Sequence, residues 1–314
     1  MREEFYEFYG YRVACTVPEE AASVADRLLG ASVLPGGDAG QAWTPQTVHL
    51  SFELTDTDRE PVPPPYFPEH WDTSDVVVLD TGSSRAVITP ARWTVRVTLA
   101  RSDLDNPIVW GRWLVEKAFL VLTLRSDRHY GLHAGALSVD GRAALVTADS
   151  GVGKSTFTAW GLFNGADFAG EDAMMRHIDD PEGRFWGYPR CAYLDPALIK
   201  SRPELADAPT APVPARDKSR VEWPASFESR LRPAARPRAL LVLTRSHETV
   251  RPLGVAAALD LCRDDFAAGK DDLAVRERAE SDLRSLLSDM TILQFGLSTD
   301  LDTNFERLAA VLHG

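Results

Sequence analysis

The sequence predicts an α/β protein in which a smaller, β-rich α+β domain precedes a larger domain of alternating strands and helices. In the first hundred residues, short apolar runs are separated by glycine, proline and acidic turns. The stretch DNPIVWGRWLVEKAFLVLTLRS then has the apolar spacing of a helix, and strand-like and helix-like segments alternate after it. We therefore place the domains at residues 1–105 and 130–314, with a connecting helix over 106–129.

The N-terminal domain contains one predicted helix among several predicted strands. The helix covers PEEAASVADRLLG, because Pro18 suits its first position and Gly30 suits its end. The proline-rich stretch REPVPPPYFPEHW predicts a loop, and Asn106 and Pro107 predict the start of the connecting helix. The predicted strands are YRVACTV, TVHLSFEL, DVVVLD, RAVIT and WTVRVTLA.

Composition and charge limit the class of protein. A chain of 314 residues that is 44% hydrophobic can form sizeable cores. Its net charge of −12 argues against nucleic acid and anionic membranes as partners. The sequence has no apolar run long enough to span a membrane and no signal-peptide pattern at its start. The three cysteines are widely spaced and lack metal-ligand spacing, so we expect a protein of the reducing cytoplasm.

The second domain is predicted to open with a hairpin, a glycine-rich loop and a helix. Asp140-Gly141 predicts the hairpin turn, and RAALVT then leads into the stretch TADSGVGKST. The run STFTAWGLF predicts a short helix that ends at Asn164-Gly165. Residues 200–237, rich in proline, alanine and charge, predict a long loop. Later strands are predicted for RALLVLTRS and TILQFGL, and later helices for DDLAVRERAESDLRSLLSDM and LDTNFERLAAVLHG.

The glycine-rich loop has the residue order of a phosphate-binding loop. A strand, a loop and a helix in this order direct backbone N–H groups and the positive end of a helix dipole at an anion. Lys154, one of only five lysines, would reach the β- and γ-phosphates, and Ser155 would coordinate Mg²⁺. Ala148 replaces the first glycine of G-x-x-x-x-G-K-[ST], and a turn that binds nothing is the alternative. The predicted ATP-binding residues are Asp149, Ser150, Gly151, Val152, Gly153, Lys154, Ser155 and Thr156.

The form ADSGVGKS resembles the G-x-S-G-x-G-K-S loop of the bacterial HPr kinase/phosphorylase family. In that family a histidine-glycine step lies before the hairpin and an acidic pair follows the loop helix. Here His133 precedes Ala134, and FAGEDAMM supplies Glu171 and Asp172, so the resemblance covers about residues 130–195. The family's glycine-arginine stretch for docking HPr has no counterpart in the chain. The sequence is more similar to diverged HPr-kinase-like proteins, some of which phosphorylate small molecules or ribosomally made peptides in biosynthetic pathways.

The resemblance implies roles for several residues. Asp172 would be the general base or a metal-facing acid with Glu171 as its partner, and Asp172 would bind Mg²⁺ together with Ser155. His133 would contact the γ-phosphate. Independently, Arg190 is a candidate for holding the transferred phosphate, because a guanidinium group matches phosphate oxygens. Solvated acids at a strand end and a structural histidine are the alternatives.

Two classes of function remain open. The first is an ATP-dependent kinase that transfers a phosphoryl group to a serine-like hydroxyl of a peptide or small metabolite, and the resemblance also implies a homo-oligomer. The second is a nucleotide-binding module without transfer activity, whose N-terminal domain binds a partner. A phosphoenolpyruvate carboxykinase-like enzyme shares the loop type, but the chain is short for that family. Lys218 or Arg220 would meet a phosphate if the loop over 200–237 orders above the substrate.

Overall fold

The chain is a mixed α/β protein with several sheets, so the predicted fold class is confirmed at that level. It divides into two compact units, Met1–Ser126 with Val213–Arg216, and Asp127–Pro212 with Asp217–Gly314. No helix within the described part of the chain is both long and apolar enough to cross a membrane. The computed structural model describes residues 1–29, 46–57, 69–72, 75–105, 111–213, 217–245, 248–263, 266–267 and 272–313.

The first unit is built on a seven-stranded sheet with the order β1-β2-β3-β7-β6-β5-β4. Strand β3 pairs in parallel with both β2 and β7, and the other neighbours are antiparallel. The strands are β1 (Arg2–Phe8), β2 (Tyr11–Val17), β3 (Thr47–Thr55), β4 (Glu69–Asp72), β5 (Val77–Asp80), β6 (Arg85–Thr89) and β7 (Thr94–Ala100). The helices are α1 (Glu19–Leu29) and α2 (Lys117–Arg125).

The five strands predicted in this unit are confirmed as β2, β3, β5, β6 and β7, and the predicted helix is confirmed as α1. Strand β1 has no counterpart among the predictions, because charged residues interrupt its buried positions Tyr6 and Phe8. The predicted proline-rich loop is wrong at its end, where His70 and Trp71 lie in β4 and pair with β5. The rest of that loop lies outside the described residues, as does Gly30.

The segment predicted as a connecting helix has two kinds of helical structure. A π-helical stretch covers Gly111–Glu116, and α2 follows it. The helix stops at Arg125 because Ser126 has an extended backbone, and its N–H donates a closing hydrogen bond to Thr123 O at 3.2 Å. The predicted start at Asn106 and Pro107 lies outside the described residues.

The second unit contains a six-stranded, a five-stranded and a three-stranded sheet, in the orders β11-β9-β10-β18-β21-β19, β17-β13-β12-β8-β20 and β14-β16-β15. The strands are β8 (His129–Leu132), β9 (Gly135–Val139), β10 (Arg142–Thr147), β11 (Asp167–Gly170), β12 (Met174–His177), β13 (Phe185–Trp186), β14 (Cys191–Leu194), β15 (Thr210–Pro212), β16 (Ser219–Glu222), β17 (Ala234–Ala235), β18 (Pro237–Thr244), β19 (Val250–Pro252), β20 (Phe266–Ala267) and β21 (Thr291–Gly296). The helices are α3 (Lys154–Phe163), α4 (Pro196–Ser201), α5 (Val255–Cys262), α6 (Leu273–Ser288) and α7 (Leu301–His313).

The centre of the six-stranded sheet is parallel, since β18 pairs in parallel with both β10 and β21. These strands are apolar along most of their length because both faces of the sheet are covered. Neighbouring residues serve opposite faces, so Leu241 belongs to the core beneath α3 and α7, whereas Leu240 belongs to the core beneath α5 and α6. The predicted strands β18 and β21 and the predicted helices α3, α6 and α7 are confirmed.

The prediction of one long loop over residues 200–237 is wrong. Strands β15 and β16 lie in this range and pair with each other, and β16 also pairs with β14. These strands are only three or four residues long, too short for a two-residue period to emerge from a stretch rich in proline. Burial of Arg220 and Val221 identifies the segment as part of the fold. Helix α5 was also missed.

Candidate functional site

The hairpin before the glycine-rich loop forms as predicted. Asp140 and Gly141 both have left-handed backbone conformations, with φ values of 50° and 78°, which a two-residue hairpin turn of this type requires. Strand β10 then runs between β9 and β18 and ends at Thr147. The loop therefore leaves the carboxyl end of a central strand, which is where open α/β sheets bind ligands.

The conformation of the loop explains two of its glycines. Gly151 and Gly153 have φ values of 82° and 125°, which other residues rarely adopt. A Cβ at Gly151 would meet no atom within 4 Å, so the backbone angle and not space accounts for this glycine. Among the described non-glycine residues only Tyr9, Trp93 and Asp140 have positive φ, so Ala148 fits its position without strain.

Lys154 and Ser155 begin α3, and both side chains are buried. The Lys154 Nζ atom donates a hydrogen bond to the backbone oxygen of Glu171 at 3.0 Å. The Ser155 hydroxyl bonds to the Glu171 carboxylate and accepts a hydrogen bond from Lys218 Nζ at 2.9 Å. The first turn of the helix is therefore joined directly to the acidic pair.

The two acids of this pair have different surroundings. Glu171 is only 3% exposed, and its Oε1 accepts a hydrogen bond from Tyr193 N at 2.7 Å. Burial raises the pKa of Glu171, and the neighbouring Asp172 raises it further, against the opposing effects of Lys154, Ser155 and Tyr193. The Asp172 side chain is 26% exposed, and its Oδ1 lies 3.5 Å from His133 Nε2. Asp172 is therefore the more accessible of the two acids.

A glycine allows these elements to come close together. A Cβ on Gly135, at the start of β9, would lie 2.7 Å from Thr158 Cγ2 in α3 and 3.2 Å from Glu171 Cα. The absence of a side chain at Gly135 thus permits helix α3 and the acidic pair to pack against β9. His133 lies just before this strand and joins the same group.

The structure brings together Lys154, Ser155, Glu171, Asp172 and His133, all of which the sequence singled out. Asp149, Ser150 and Gly151 form the exposed tip of the loop, and Val152, Gly153 and Thr156 are partly buried.

Arg190 is held elsewhere by its described contacts. Its Nη1 lies 3.8 Å from Glu228 Oε1, and its backbone oxygen accepts a hydrogen bond from Trp223 N at 3.0 Å. These contacts join Arg190 to Trp223 and to the helical turn Ala225–Arg230, so its phosphate role stays a prediction.

Two groups at the site were not predicted from the sequence. Arg245 follows β18, and its Nε donates a hydrogen bond to Val152 O at 2.7 Å. Its position at the end of a predicted strand was visible in the sequence, but the adjacency of that strand to β10 was not. The backbone N–H of Tyr193 gave no such signal, because any residue supplies one.

The donor set suits a magnesium ion that is held together with a nucleotide. No cluster of three histidine, cysteine or acidic residues suited to a metal occurs in the described ranges. Magnesium commonly uses one or two carboxylates, substrate phosphates and water instead of a complete protein cage. The Ser155 hydroxyl beside the acidic pair fits this requirement.

Comparisons with known proteins leave the family open. No protein-family model matches the chain, and no curated protein sequence matches it. Among solved structures, the chain is similar to the HPr(Ser) kinase/phosphatase from Coxiella burnetii, with 11% identity and a TM-score of 0.36. The likeness covers 58% of this chain and 87% of that chain. A TM-score this low establishes neither a shared family nor a shared activity, so membership of the HPr kinase/phosphorylase family stays a prediction.

Proposed function

We propose that the protein is an ATP-dependent, Mg²⁺-requiring phosphotransferase that transfers the γ-phosphoryl group to a hydroxyl of a peptide or small metabolite. The observation that carries this proposal is the direct hydrogen bonding of Lys154 and Ser155 to Glu171, next to Asp172. Phosphoryl transfer needs bound phosphates, a metal and an acid near the attacking hydroxyl, and catalysis consists mainly of positioning and charge stabilisation.

The loop supplies the phosphate site. Its N–H groups and the amino end of α3 would surround the β- and γ-phosphates, with Asp149 to Thr156 as the binding residues. Lys154 would then bond to a phosphate oxygen in place of the backbone oxygen of Glu171. Arg245 would add a second positive charge, since its guanidinium group already holds the loop at Val152.

The Ser155 hydroxyl and the Asp172 carboxylate would bind Mg²⁺, with Glu171 adjacent. Held by these residues, the ion would supply positive charge to offset the negative charge that develops on the phosphoryl group. A nearby cation favours the ionised carboxylate, so the raised pKa of Glu171 would fall when the metal binds.

Asp172 would also accept the proton of the attacking hydroxyl. The hydroxyl oxygen bonds to the γ-phosphorus, the bond from that phosphorus to the bridging oxygen breaks, and ADP leaves. His133, 3.5 Å away, would orient the Asp172 carboxylate or contact the γ-phosphate. Both roles fit its half-exposed position.

The class of acceptor follows from charge and from the sequence resemblance. The net charge of −12 favours a neutral or cationic acceptor, and the resemblance favours a serine-like hydroxyl in a biosynthetic pathway. We also propose that the protein is a cytoplasmic homo-oligomer and that it binds neither nucleic acid nor membranes.

The test compares Asp172→Asn with the wild type, with the exposed Asp207→Asn as the control. We expect Asp207→Asn to bind Mg·ATP as the wild type does. Asp172→Asn should still bind ATP through the unchanged loop, with a lower affinity for Mg·ATP because one metal ligand is lost. ADP formation, measured alone and with a panel of peptides and metabolites, should fall by about 100- to 1,000-fold only in Asp172→Asn. Binding of ATP with no ADP formation by any of the proteins would favour a silent nucleotide-binding module instead.

A further inference from the structure

Lys218 places a positive charge on the proposed metal ligand. It precedes β16, and its Nζ donates a hydrogen bond to the Ser155 hydroxyl oxygen at 2.9 Å across 63 residues of sequence. Ser155 itself is 9% exposed, so this contact lies inside the site and not on an open surface. The ammonium group therefore lies where a cation is expected when nucleotide is bound.

The position of Lys218 is fixed by the three-stranded sheet. Ser219, the next residue, pairs with Leu194 in β14, and Arg220 pairs with Tyr193. Arg220 is 2% exposed and lies over the Tyr188 ring, 5.8 Å from its centroid, which anchors the strand. The sheet thus has a defined register beside the site.

The same sheet contacts the acidic pair at a second point. The backbone N–H of Tyr193 donates to Glu171 Oε1, while Lys218 donates to Ser155. Ser155 and Glu171 are in turn bonded to each other. The three-stranded sheet and the residue that precedes β16 therefore donate hydrogen bonds to both the Glu171 carboxylate and the Ser155 hydroxyl.

The hydrogen bonds of Ser155 leave little room for a second cation. A hydroxyl has one proton and two lone pairs. The proton is donated to Glu171, and one lone pair accepts from Lys218. Mg²⁺ binds an oxygen at about 2.0–2.1 Å, so it would lie within a few ångströms of the ammonium group and repel it. One lone pair remains for a metal, but charge repulsion makes Lys218 and the metal compete at this oxygen.

We propose that Lys218 occupies the cation position at Ser155 until Mg·ATP binds, and then moves its ammonium group to the polyphosphate. The inference rests on the proposed function, because it requires a metal and a nucleotide at this site. The flexible four-carbon side chain allows the charge to move while β16 stays paired. Lys218 thereby keeps Ser155 oriented, disfavours binding of a metal without nucleotide, and adds a charge to the bound phosphates.

The first test uses a metal alone. Mn²⁺ is titrated into the nucleotide-free protein and followed by electron paramagnetic resonance, for the wild type, Lys218→Met and the exposed control Lys200→Met. We expect about tenfold tighter Mn²⁺ binding in Lys218→Met only, because the competing charge is gone. Equal or absent Mn²⁺ binding in all three proteins would overturn the competition between the lysine and the metal.

The second test measures Mg·ATP and Mg·ADP binding by calorimetry. Lys218→Met should bind Mg·ATP about tenfold more weakly and lose less affinity for Mg·ADP, while Lys218→Arg and Lys200→Met stay near the wild type. Wild-type affinity in Lys218→Met would overturn the inference and leave the proposed function standing. A wild type that binds no nucleotide would overturn both.

Discussion

Two polar clusters in the second unit hold their charges in different ways. In the loop cluster, Lys154 and Glu171 are buried beside Asp172, which is partly exposed. In the histidine cluster, the rings of His129 and His177 lie edge to face with their centroids 4.3 Å apart. The histidine cluster continues through Arg176 to Asp282, which accepts a hydrogen bond from Tyr130 at 2.9 Å.

Both clusters contain histidine, a basic residue and an aspartate, but they differ in openness. The loop cluster opens to solvent through the tip of the loop, Asp172 and His133. The histidine cluster is less open, since His129 and Arg176 are almost fully buried and the Asp282 side chain is 17% exposed. Burial alone therefore does not mark a functional site. The loop cluster has an open side and glycines in the left-handed conformation, as expected of a site that can bind a ligand. The histidine cluster is better explained as a network that stabilises the fold.

The largest expected difference between the two clusters is in how much each one contributes to the free energy of unfolding. Asp282→Ala leaves the buried Arg176 without its carboxylate partner, so we expect a loss of about 3 kcal/mol in the free energy of unfolding. Asp172→Ala removes a partly exposed acid and should cost less than about 1 kcal/mol. Urea unfolding of both variants measures the difference. Asp282→Asn, which keeps a hydrogen-bond acceptor for Tyr130, should lie between them, and equal losses would remove the distinction between the clusters.

The histidine cluster should make stability depend on pH. Burial lowers the pKa of His177 to about 4, so the folded protein resists protonation that the unfolded chain accepts below about 6.5. The stability from the neutral ring is complete above about pH 6.5 and is lost as the pH falls towards 4.

His177→Asn keeps an acceptor for the Asp179 N–H but cannot titrate. We expect this variant to lose about 2 kcal/mol less than the wild type between pH 7.5 and pH 5, measured by urea unfolding. Parallel losses in the two proteins would show that the ring does not titrate in this way.

The smallest expected effect on stability is that of replacing Glu171. Because burial raises its pKa in the folded state, stability falls as the pH rises from the usual glutamate pKa through this raised value. Glu171→Gln should therefore raise Tm at pH 7.5 by about 2 °C, and the gain should shrink in acid. The same variant should weaken Mg²⁺-dependent ATP binding. A lower Tm at pH 7.5 would show that the ionised carboxylate stabilises the fold.

The loop shows how far local sequence can predict a site. The order of RAALVT, the loop and STFTAWGLF specified a strand, a turn rich in glycine and a helix, because each signal acts within a few residues. His133 and the acids Glu171 and Asp172 entered through a resemblance, and the structure joins them to the loop by contacts that periodicity does not encode.

The missed features are those that depend on distant parts of the chain. Strands β15 and β16 are short and depend on pairing and burial for their stability, so their sequences were predicted to be a loop. Lys218 was connected to a phosphate only on the condition that this segment orders. Arg245 was missed because its role depends on which strand lies next to β10, and sequence patterns do not specify strand order.

Calorimetric titration of Mg·ATP into the wild type and Lys154→Ala tests the central claim most directly, with Lys200→Ala as the control. We predict saturable one-site binding by the wild type and by Lys200→Ala, and affinity at least tenfold weaker in Lys154→Ala. A folded wild type that binds no Mg·ATP, or equal affinity in Lys154→Ala, would contradict a phosphate-binding role for the glycine-rich loop.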